Sequence, residues 1–343
     1  MKAIVLREHG GIDKLLMEQD FPEPSLGEHD VLVRVRATTV NRIDLVVRAG
    51  YPGIKIPFPR IPGADIAGEI DEVGSRVKAF RKGERVLAWP LIACGACEQC
   101  QKNRRWLCLN WKYFGLHVDG SYAEYTRVPE ESLVRLPEKI SFEAAATLPV
   151  AGLTSYHALV TVGKLEKGET VLIWGGSGGL GTFAVQIAKR LGARVIATVG
   201  KESKRERIES LGADLVLNHY KENVLDTIQK FTDGKGVEVV LDSIGAETFP
   251  ASFQLLKKGG RLLLCGLMTG REAPLNLHLT YLKHLSFLGL YLGEKHELEA
   301  LLNWVSEGKI KPVIDQRFEL SEAGMAHQRI ESGDQLGKIV LLP

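Results

Sequence analysis

No apolar run in the 343-residue sequence is long enough to cross a lipid bilayer. The N-terminal stretch MKAIVLREHGG has only a short apolar run, which breaks at Arg7, and it lacks the apolar core and small-residue cleavage site of a signal peptide. An excess of one charge is also missing, because 44 basic residues face 42 acidic ones for a net charge of +2. We therefore expect a cytoplasmic protein with no membrane or nucleic-acid partner.

Cysteine is scarce, and its few copies are clustered. Four of the five cysteines, Cys94, Cys97, Cys100 and Cys108, lie in CGACEQCQKNRRWLC, which is unlike the disulfide framework of a secreted protein. The spacing predicts a metal site, since four thiolates satisfy a tetrahedral Zn²⁺ and leave no position open for a substrate. Stray thiols, a redox pair and a nucleic-acid-binding zinc knuckle are the alternatives. The knuckle is disfavoured because few basic residues flank the cluster.

The sequence is long enough for two domains with separate cores, and its pattern changes near residue 150. Before that point, short apolar or alternating runs are separated by Gly- and Pro-rich loops, which is typical of a small barrel or sandwich. After it, short apolar strands alternate with helices, beginning with VLIW at 171–174 and a helix from Gly179 to Leu191. This alternation predicts an α/β fold with a parallel sheet covered on both faces.

The stretch VLIWGGSGGLG carries the strongest cofactor signal. Gly176, Gly178 and Gly181 match G-x-G-x-x-G directly after a predicted strand and at the start of a predicted helix. We expect Gly176 to permit the tight turn, Gly178 to let a pyrophosphate approach the backbone, and Gly181 to let the helix pack close to the sheet. The pattern favours a dinucleotide bound at the helix N-terminus, against the alternative of a glycine-rich turn without a ligand.

The second strand of this region indicates which dinucleotide is preferred. An NAD site usually has an acidic residue at the tip of that strand, but here Val199 stands there, followed by Lys201, Lys204 and Arg205. Because a 2′-phosphate attracts cations, this favours NADP(H) over NAD(H). The alternative is that these are ordinary exposed helix charges, and Glu202 lies among them.

The whole chain resembles the medium-chain dehydrogenase/reductase superfamily, which includes zinc alcohol dehydrogenases, quinone oxidoreductases and enoyl reductases. The resemblance is carried in order by KAIVL, IPGADIAGEIDEVGS, DGSYAEY, AGLTSYHAL, the glycine loop, VVLDSIG, GGRLLLCG and GKIVL. It implies a GroES-like catalytic domain over residues 1–150, completed by residues 293–343, and a Rossmann domain over 151–292 with the cofactor in the cleft. The cysteines at 94–108 match the structural zinc lobe of the alcohol dehydrogenase branch.

The catalytic zinc of that branch has no matching ligands here. Its three ligand positions hold Asn41, Ala64 and Val150, which cannot replace two thiolates and an imidazole. Asp44 and Asp65 could in principle reach a hard cation, without a nearby His or Cys to support zinc. The resemblance of NRID to the Asn-x-x-Asp segment of quinone reductases implies hydride transfer to quinones, enones or aromatic ketones. An alcohol dehydrogenase with an atypical metal site and a cofactor-binding protein without turnover are the alternatives.

The resemblance also implies roles for single residues. Asn41 contacts the cofactor ribose or the substrate oxygen, Asp44 orients a loop, Thr154 lies near the nicotinamide, and Lys338 reaches a phosphate. The implied cofactor-binding residues are Gly176, Gly178, Gly179, Leu180, Gly181, Thr198, Gly200, Lys204, Ser243, Gly266, Leu290 and Lys338. Three aromatic residues either line the substrate pocket or are packed in a core: Tyr51, Trp89 and Phe114.

Two features stay open at this level. No residue is identified as the proton donor, and solvent or a ribose hydroxyl could serve. The resemblance implies a homodimer or homotetramer, with the apolar run FLGLYLG near residues 286–290 available for edge pairing, although a buried strand would have the same composition.

Overall fold

The computed structural model describes residues 1–50, 53 and 55–343. By their contacts these residues form two compact units: Met1–Leu153 together with Glu294–Pro343, and Thr154–Gly293. The division into a catalytic domain and a cofactor domain, with boundaries at 150/151 and 292/293, stays a prediction.

The secondary structure follows the predicted change from a β-rich region to alternating strands and helices. The strands are β1 (Ala3–Val5), β2 (Leu16–Glu18), β3 (Asp30–Val40), β4 (Ala67–Val73), β5 (Arg85–Ala88), β6 (Leu91–Ile92), β7 (Lys112–Tyr113), β8 (Tyr125–Pro129), β9 (Leu133–Arg135), β10 (Thr170–Ile173), β11 (Arg194–Val199), β12 (Leu215–Asn218), β13 (Val237–Asp242), β14 (Leu256–Leu264), β15 (Ser286–Gly289), β16 (Ile314–Glu319) and β17 (Lys338–Leu342).

The α-helices are α1 (Arg42–Ala49), α2 (Glu98–Gln101), α3 (Phe142–Ala146), α4 (Leu153–Tyr156), α5 (Gly179–Arg190), α6 (Arg205–Ser210), α7 (Val224–Phe231), α8 (Phe249–Leu255), α9 (Leu277–Leu282), α10 (Lys295–Ser306) and α11 (Ala323–Glu331). Short 3-10 turns cover Ile12–Lys14, Arg105–Leu107, Glu130–Ser132, Glu202–Lys204 and Leu320–Glu322, and π-helical turns cover Leu148–Gly152 and His157–Val162. Within the described part of the chain, no helix is long and apolar enough to span a membrane.

The first unit is built on a mainly antiparallel sheet that both ends of the chain complete. Its strand order is β16-β17-β3-β4-β5-β9, and β8 also pairs with β3. The C-terminal strand β17 runs antiparallel to β3, with Ile339 opposite Val40. This register brings the start of β17 beside the residues that follow β3. The apolar core under the sheet likewise combines residues from both ends, among them Ile4, Phe318 and Leu341.

The second unit is a parallel sheet with the strand order β12-β11-β10-β13-β14-β15. Numbered within the unit this is 3-2-1-4-5-6, the order of dinucleotide-binding sheets, and the predicted α/β class is confirmed. The central strand β10 is buried along its whole length. Helix α5 buries Phe183, Ala184, Ile187 and Ala188 at helical spacing, so its apolar stripe is what holds it to the sheet.

Candidate functional site

The glycine loop joins β10 to α5 at the carboxyl edge of the parallel sheet. Gly178 is the N-cap of α5, in extended conformation (φ −75°, ψ 174°), and no side chain caps this helix end. Thr198 at the end of β11 holds the loop, because its Oγ1 accepts from Gly175 N–H at 3.0 Å and its carbonyl accepts from Gly176 N–H at 2.8 Å. The first N–H groups of α5 are thereby presented for an anionic group such as a pyrophosphate.

The three glycines of the motif serve different purposes, and one differs from the prediction. The left-handed conformation of the turn lies at Gly175 (φ 68°), not at Gly176. A Cβ on Gly176 would come within 2.8 Å of Ala197 Cβ, so packing against β11 requires glycine there. A Cβ on Gly181 would lie 2.2 Å from Gly175 O, which agrees with close helix–sheet packing, whereas a Cβ on Gly178 would meet nothing closer than 3.5 Å. The protein itself therefore has room for a side chain at Gly178.

Further predicted cofactor residues lie at the ends of the remaining strands on the same edge. Ser243 follows β13, Gly266 follows β14 and Leu290 follows β15. Ser243 and Gly266 are in close contact, since a Cβ on Gly266 would lie 2.2 Å from Ser243 O. Leu290 N–H donates to Leu264 O at 3.0 Å. The structure thus brings these three positions and the glycine loop to one edge of one sheet.

The predicted contacts to a 2′-phosphate are only partly supported. Lys204 is buried beside the end of β11, in a 3-10 turn that begins just after Gly200. Arg205 is committed to protein partners, because its guanidinium donates to both Glu202 and Glu222. These contacts do not support the expectation that Arg205 attracts a phosphate, since two carboxylates already pair with its charge.

Sequence reasoning missed His219 and Tyr220, which follow β12 on the same edge. A Cβ on Gly200 would lie 3.2 Å from the Tyr220 ring and 3.7 Å from the His219 ring. The His219 Nδ1 is buried without a hydrogen-bond partner among the described residues, and burial lowers the pKa of this imidazole. The signal that could have identified them is the polar NHY directly after the apolar strand LVL, at the edge where the glycine loop also lies.

In the first unit, a buried polar cluster lies where β3 ends. We call Thr39, Asn41, Asp65 and Lys338 the Asn41 cluster. The Lys338 ammonium donates to Asn41 Oδ1 at 2.5 Å, to Val40 O at 3.1 Å and to Asp65 Oδ2 at 3.4 Å. Lys338 is 3% exposed, and burial lowers its pKa against the opposing effect of Asp65. All three donors of the ammonium thus face protein oxygens, and these contacts do not support the predicted phosphate contact of Lys338.

Asp65 is surrounded by donors. Its Oδ2 accepts from Asn41 Nδ2 at 2.7 Å and from the Thr39 hydroxyl, and its Oδ1 accepts from Val150 N–H at 3.0 Å. It is fully buried. A carboxylate with both oxygens occupied in this way, next to an ammonium, is not arranged as a metal ligand.

Asp44 connects this cluster to a second buried chain of hydrogen bonds. Its Oδ2 accepts from Asn41 N–H at 2.8 Å, which caps α1, and from the Tyr122 hydroxyl at 3.2 Å. Tyr122 Oη lies 3.2 Å from His327 Nε2, and Arg48 lies 3.4 Å from His327 Nδ1. Because Arg48 can only donate, Nδ1 accepts and Nε2 carries the proton that faces Tyr122. From Arg48 through His327 and Tyr122, each of these hydrogen bonds is therefore donated in the direction of Asp44.

Burial sets the charge states of the residues in this series of hydrogen bonds. It raises the pKa of Asp44 to about 7 and lowers the pKa of His327 to about 3. Glu331 accepts from Arg48 and neutralises it. Tyr122, His327 and Arg48 were not expected from the sequence, because the partners stand up to 283 positions apart and no local pattern signals them.

The three positions of a catalytic zinc are brought close to the Asn41 cluster, but they offer no zinc donors. Asn41 uses its amide within the cluster, Ala64 is buried and apolar, and Val150 donates its N–H to Asp65. Over the described ranges, the four cysteines at 94–108 are the only group of three or more His, Cys, Asp or Glu side chains arranged for a metal. The residues present here do not fit a catalytic zinc.

The other predicted residues are placed as follows. Thr154 is buried in α4. Trp89 and Phe114 are 1% and 0% exposed, which favours the packed-aromatic alternative over a pocket lining. Tyr51 lies outside the described residues.

The cysteine lobe has the geometry of a closed zinc site. The four Sγ atoms lie within 4.8 Å of one another, with Cys97 Sγ 3.5 Å from Cys100 Sγ and 3.9 Å from Cys108 Sγ. A tetrahedral Zn²⁺ with Zn–S bonds of about 2.3 Å places sulfur atoms about 3.8 Å apart. Backbone hydrogen bonds lower the pKa of Cys97 to about 6, which favours the thiolate form. Cys94, Cys97, Cys100 and Cys108 therefore fit a structural zinc.

The lobe is attached at its base and at one side. Strands β6 and β7, which flank it, pair antiparallel. Glu294, at the start of α10, accepts from Arg105 N–H at 2.7 Å and from Trp106 N–H at 3.4 Å. A zinc ion here would order the chain between two fixed points and would touch no substrate.

Comparison with known proteins identifies two family models in the chain. The alcohol dehydrogenase GroES-like domain matches residues 27–138, and the zinc-binding dehydrogenase model matches residues 179–307. An alcohol dehydrogenase of Geobacillus stearothermophilus is 34% identical over 342 residues, covering 99% of each chain. A quinone oxidoreductase of Homo sapiens is 31% identical over 349 residues, covering 100% of this chain and 98% of the relative.

Solved structures lead to the same family. A crystal structure of an NAD-dependent alcohol dehydrogenase superposes with a TM-score of 0.95 at 37% identity, with all of both chains covered. A quinone oxidoreductase of Pseudomonas syringae pv. Tomato DC3000 superposes with a TM-score of 0.85 at 29% identity, covering 100% of this chain and 99% of that one. The chain belongs to the medium-chain dehydrogenase/reductase superfamily and is an oxidoreductase with small-molecule substrates.

Proposed function

We propose that the protein is an NADP(H)-dependent reductase that transfers hydride to activated carbonyls or alkenes, such as quinones, enones and aromatic ketones, without a catalytic zinc. One observation carries this proposal. Where a zinc alcohol dehydrogenase needs metal ligands, this chain has the Asn41 cluster, in which Asp65 is fully hydrogen-bonded and Lys338 is the buried cation.

The chemistry follows from that cluster. Oxidation of an alcohol requires removal of the hydroxyl proton, which Zn²⁺ assists by lowering the pKa of the bound hydroxyl. An electrophilic acceptor would need no such step, because a bound nicotinamide would supply hydride to its carbon while the electron pair moved to its oxygen. Asn41 is the proposed hydrogen-bond donor to that oxygen, Thr154 is proposed beside the nicotinamide, and the oxygen then takes a proton from solvent or through a ribose hydroxyl.

The proposed preference for NADP(H) depends on the end of β11. Val199, and no acidic residue, stands at the tip of the strand, and Lys204 lies four residues after Gly200, in the turn that follows β11. Arg205 no longer supports the preference, since it pairs with Glu202 and Glu222. The pyrophosphate is proposed at Gly178, Gly179, Leu180 and Gly181, the adenosine end at Thr198, Gly200 and Lys204, and the remaining contacts at Ser243, Gly266 and Leu290. A cytoplasmic location and a homodimer or homotetramer stay predictions.

The relatives support a second candidate, an alcohol or ketone dehydrogenase, because the alcohol dehydrogenase at 34% identity is more similar to the chain than the quinone oxidoreductase at 31%. In this chain such an enzyme would need an atypical metal site. A cofactor-binding protein without turnover is the third. The same experiment separates all of them. Purified protein is supplied with NADPH or NADH and a panel of quinones, enones, aryl ketones and simple alcohols, with zinc content measured on the same sample.

The proposed reductase oxidises NADPH faster than NADH with at least one quinone, enone or aryl ketone, and contains one zinc per chain. Alcohol oxidation that depends on a second metal per chain would support the dehydrogenase instead. NADPH that binds but is not oxidised in the presence of any acceptor would support the cofactor-binding protein without turnover.

A further inference from the structure

The side-chain amide of Asn41 is held from both ends by groups of opposite character. Its Oδ1 accepts from the Lys338 ammonium, and its Nδ2 donates to Asp65. An ammonium can only donate and an ionised carboxylate can only accept. A reversed amide would place N–H against N–H and oxygen against oxygen, so this pair permits one orientation of the amide.

That orientation leaves one hydrogen of Nδ2 without an acceptor among the described residues. Asn41 is 6% exposed, so the amide is fixed inside the protein with only a small part of the residue accessible. A cation behind the carbonyl oxygen also polarises the amide and strengthens its N–H groups as donors. The Lys338 charge is itself balanced by Asp65, 3.4 Å away.

We infer that Lys338 and Asp65 are positioning residues that lock the Asn41 amide, so that its remaining Nδ2–H faces the acceptor oxygen as that oxygen gains negative charge. This inference depends on the proposed function, in which Asn41 touches the acceptor. It assigns Lys338 a role in the hydride-transfer step in place of the phosphate contact expected from the sequence. Lys338 and Asn41 lie 297 positions apart and meet only because β17 pairs with β3.

The two roles for Lys338 give different kinetics. A phosphate contact predicts that Lys338→Met raises the dissociation constant of NADPH and leaves kcat at saturating NADPH unchanged. A positioning role predicts an unchanged NADPH dissociation constant and a kcat lower by about 10- to 100-fold. Complete removal of an oxyanion donor lowers kcat by about 100- to 1,000-fold, and a misplaced donor retains part of that effect. A Lys82→Met variant is the matched control, since Lys82 is an exposed lysine of the same unit and its ammonium pairs with Asp71 at the surface.

A double-mutant cycle tests the coupling with a naphthoquinone as the acceptor. If Lys338 acts through Asn41, the variant N41A/K338M is no slower than N41A alone, because the group that Lys338 positions is already missing. The inference would be overturned if the losses of kcat in N41A and K338M multiplied in the double variant. A raised NADPH dissociation constant with unchanged kcat in K338M would also overturn it. Should K338M unfold because Asp65 loses its cation, K338M/D65N removes both charges together and is expected to show the same loss of kcat.

A second readout is independent of turnover. In protein labelled with ¹⁵N-asparagine, the Asn41 side-chain signals are assigned by their disappearance in N41A. The wild type should show one Nδ2 hydrogen shifted downfield and protected from exchange by Asp65, and K338M should lose that protection. An unchanged Asn41 signal in K338M would overturn the inference even in an active enzyme. If the wild type reduces no acceptor, the proposed function fails while this spectrum still decides whether Lys338 holds the amide.

Discussion

The glycine loop of the second unit and the Asn41 cluster of the first are built from different parts of the chain. The loop presents backbone N–H groups, and its glycines lie within 7 residues of one another, from 175 to 181. The cluster presents side chains that converge from β3, from the segment before β4 and from the C-terminal β17. The difference is that the loop offers backbone dipoles at a helix end, whereas the cluster offers one oriented amide beside one buried lysine.

The largest expected effect comes from breaking the cluster while leaving the loop intact. In Asn41→Ala, we expect kcat to fall by about 100- to 1,000-fold because the donor to the developing oxyanion is removed. The NADPH dissociation constant should stay within about twofold, since the glycine loop is untouched. Stopped-flow turnover and NADPH fluorescence titration measure the two quantities. Equal losses in binding and in kcat would show that Asn41 serves the cofactor rather than the acceptor.

A substitution in the glycine loop should weaken NADPH binding and leave kcat at saturating NADPH unchanged. In Gly178→Ala, the added Cβ meets no protein atom closer than 3.5 Å, so the fold should be kept, but the methyl group lies where we propose that the pyrophosphate binds. We expect the NADPH dissociation constant to rise by about 10- to 100-fold, the equivalent of one or two charge-assisted hydrogen bonds.

Gly181→Ala is the control for this prediction. Its Cβ would lie 2.2 Å from Gly175 O, and it should therefore lower the unfolding midpoint even without cofactor. A Gly178→Ala variant that unfolds as easily as Gly181→Ala would mean that packing, and not a ligand, requires glycine at position 178.

A smaller effect sharpens the assignment of the dinucleotide. In Lys204→Met, we expect the dissociation constant of NADPH to rise by about tenfold while that of NADH stays constant, because only NADPH has the 2′-phosphate. Lys258→Met, at an exposed lysine of the same unit, is the control. An equal change for both cofactors would remove Lys204 from the phosphate site and with it the main support for NADP(H).

The smallest effect concerns stability and comes from the buried hydrogen bonds that link Asp44 to His327 through Tyr122. Asp44 has a folded pKa of about 7, above its unfolded value near 3.8, so its contribution to stability is lost as the pH rises from about 4 to about 7. His327 has a folded pKa of about 3, below its unfolded value near 6.5, so its contribution is lost as the pH falls from about 6.5 to about 3. In the wild type these two dependences oppose each other over the shared range.

Single variants should separate the two dependences. Asp44→Asn should leave stability falling toward acid pH, and His327→Asn should leave stability falling toward neutral pH. Urea unfolding between pH 4 and pH 7.5 measures both. Parallel pH profiles for the two variants would contradict the assigned charge states.

The loop and the parallel sheet could be predicted from sequence because their information is local. G-x-G-x-x-G, its strand and its helix lie within about twenty residues, and packing within the fold requires glycine at Gly176 and Gly181 but leaves room at Gly178. Even so, the left-handed turn at Gly175 and the pairing of Arg205 with Glu222 depend on contacts that the motif does not contain. The zinc site of the cysteine lobe could also be predicted, because its four ligands fall within fifteen residues.

The cluster could be predicted only as single residues. Asn41, Asp65 and Lys338 can be singled out in the sequence, but the contact between Asn41 and Lys338 depends on the register of β17 against β3, which no local pattern encodes. His327 and Tyr122 stand 205 positions apart and have no periodicity in common. Hydrogen-bonded side chains from distant strands are placed by the tertiary fold, so their partners become visible only in the structure.

Metal stoichiometry combined with activity tests the central claim most directly. The claim is that the acceptor oxygen is stabilised by Asn41 and not by a divalent ion. We predict one zinc per chain in the wild type and none in a C97S/C100S variant, whose folded fraction still reduces the same acceptor with a kcat within about fivefold of the wild type. A second zinc in the wild type, or a zinc that remains in C97S/C100S and whose chelation abolishes turnover, would contradict the account.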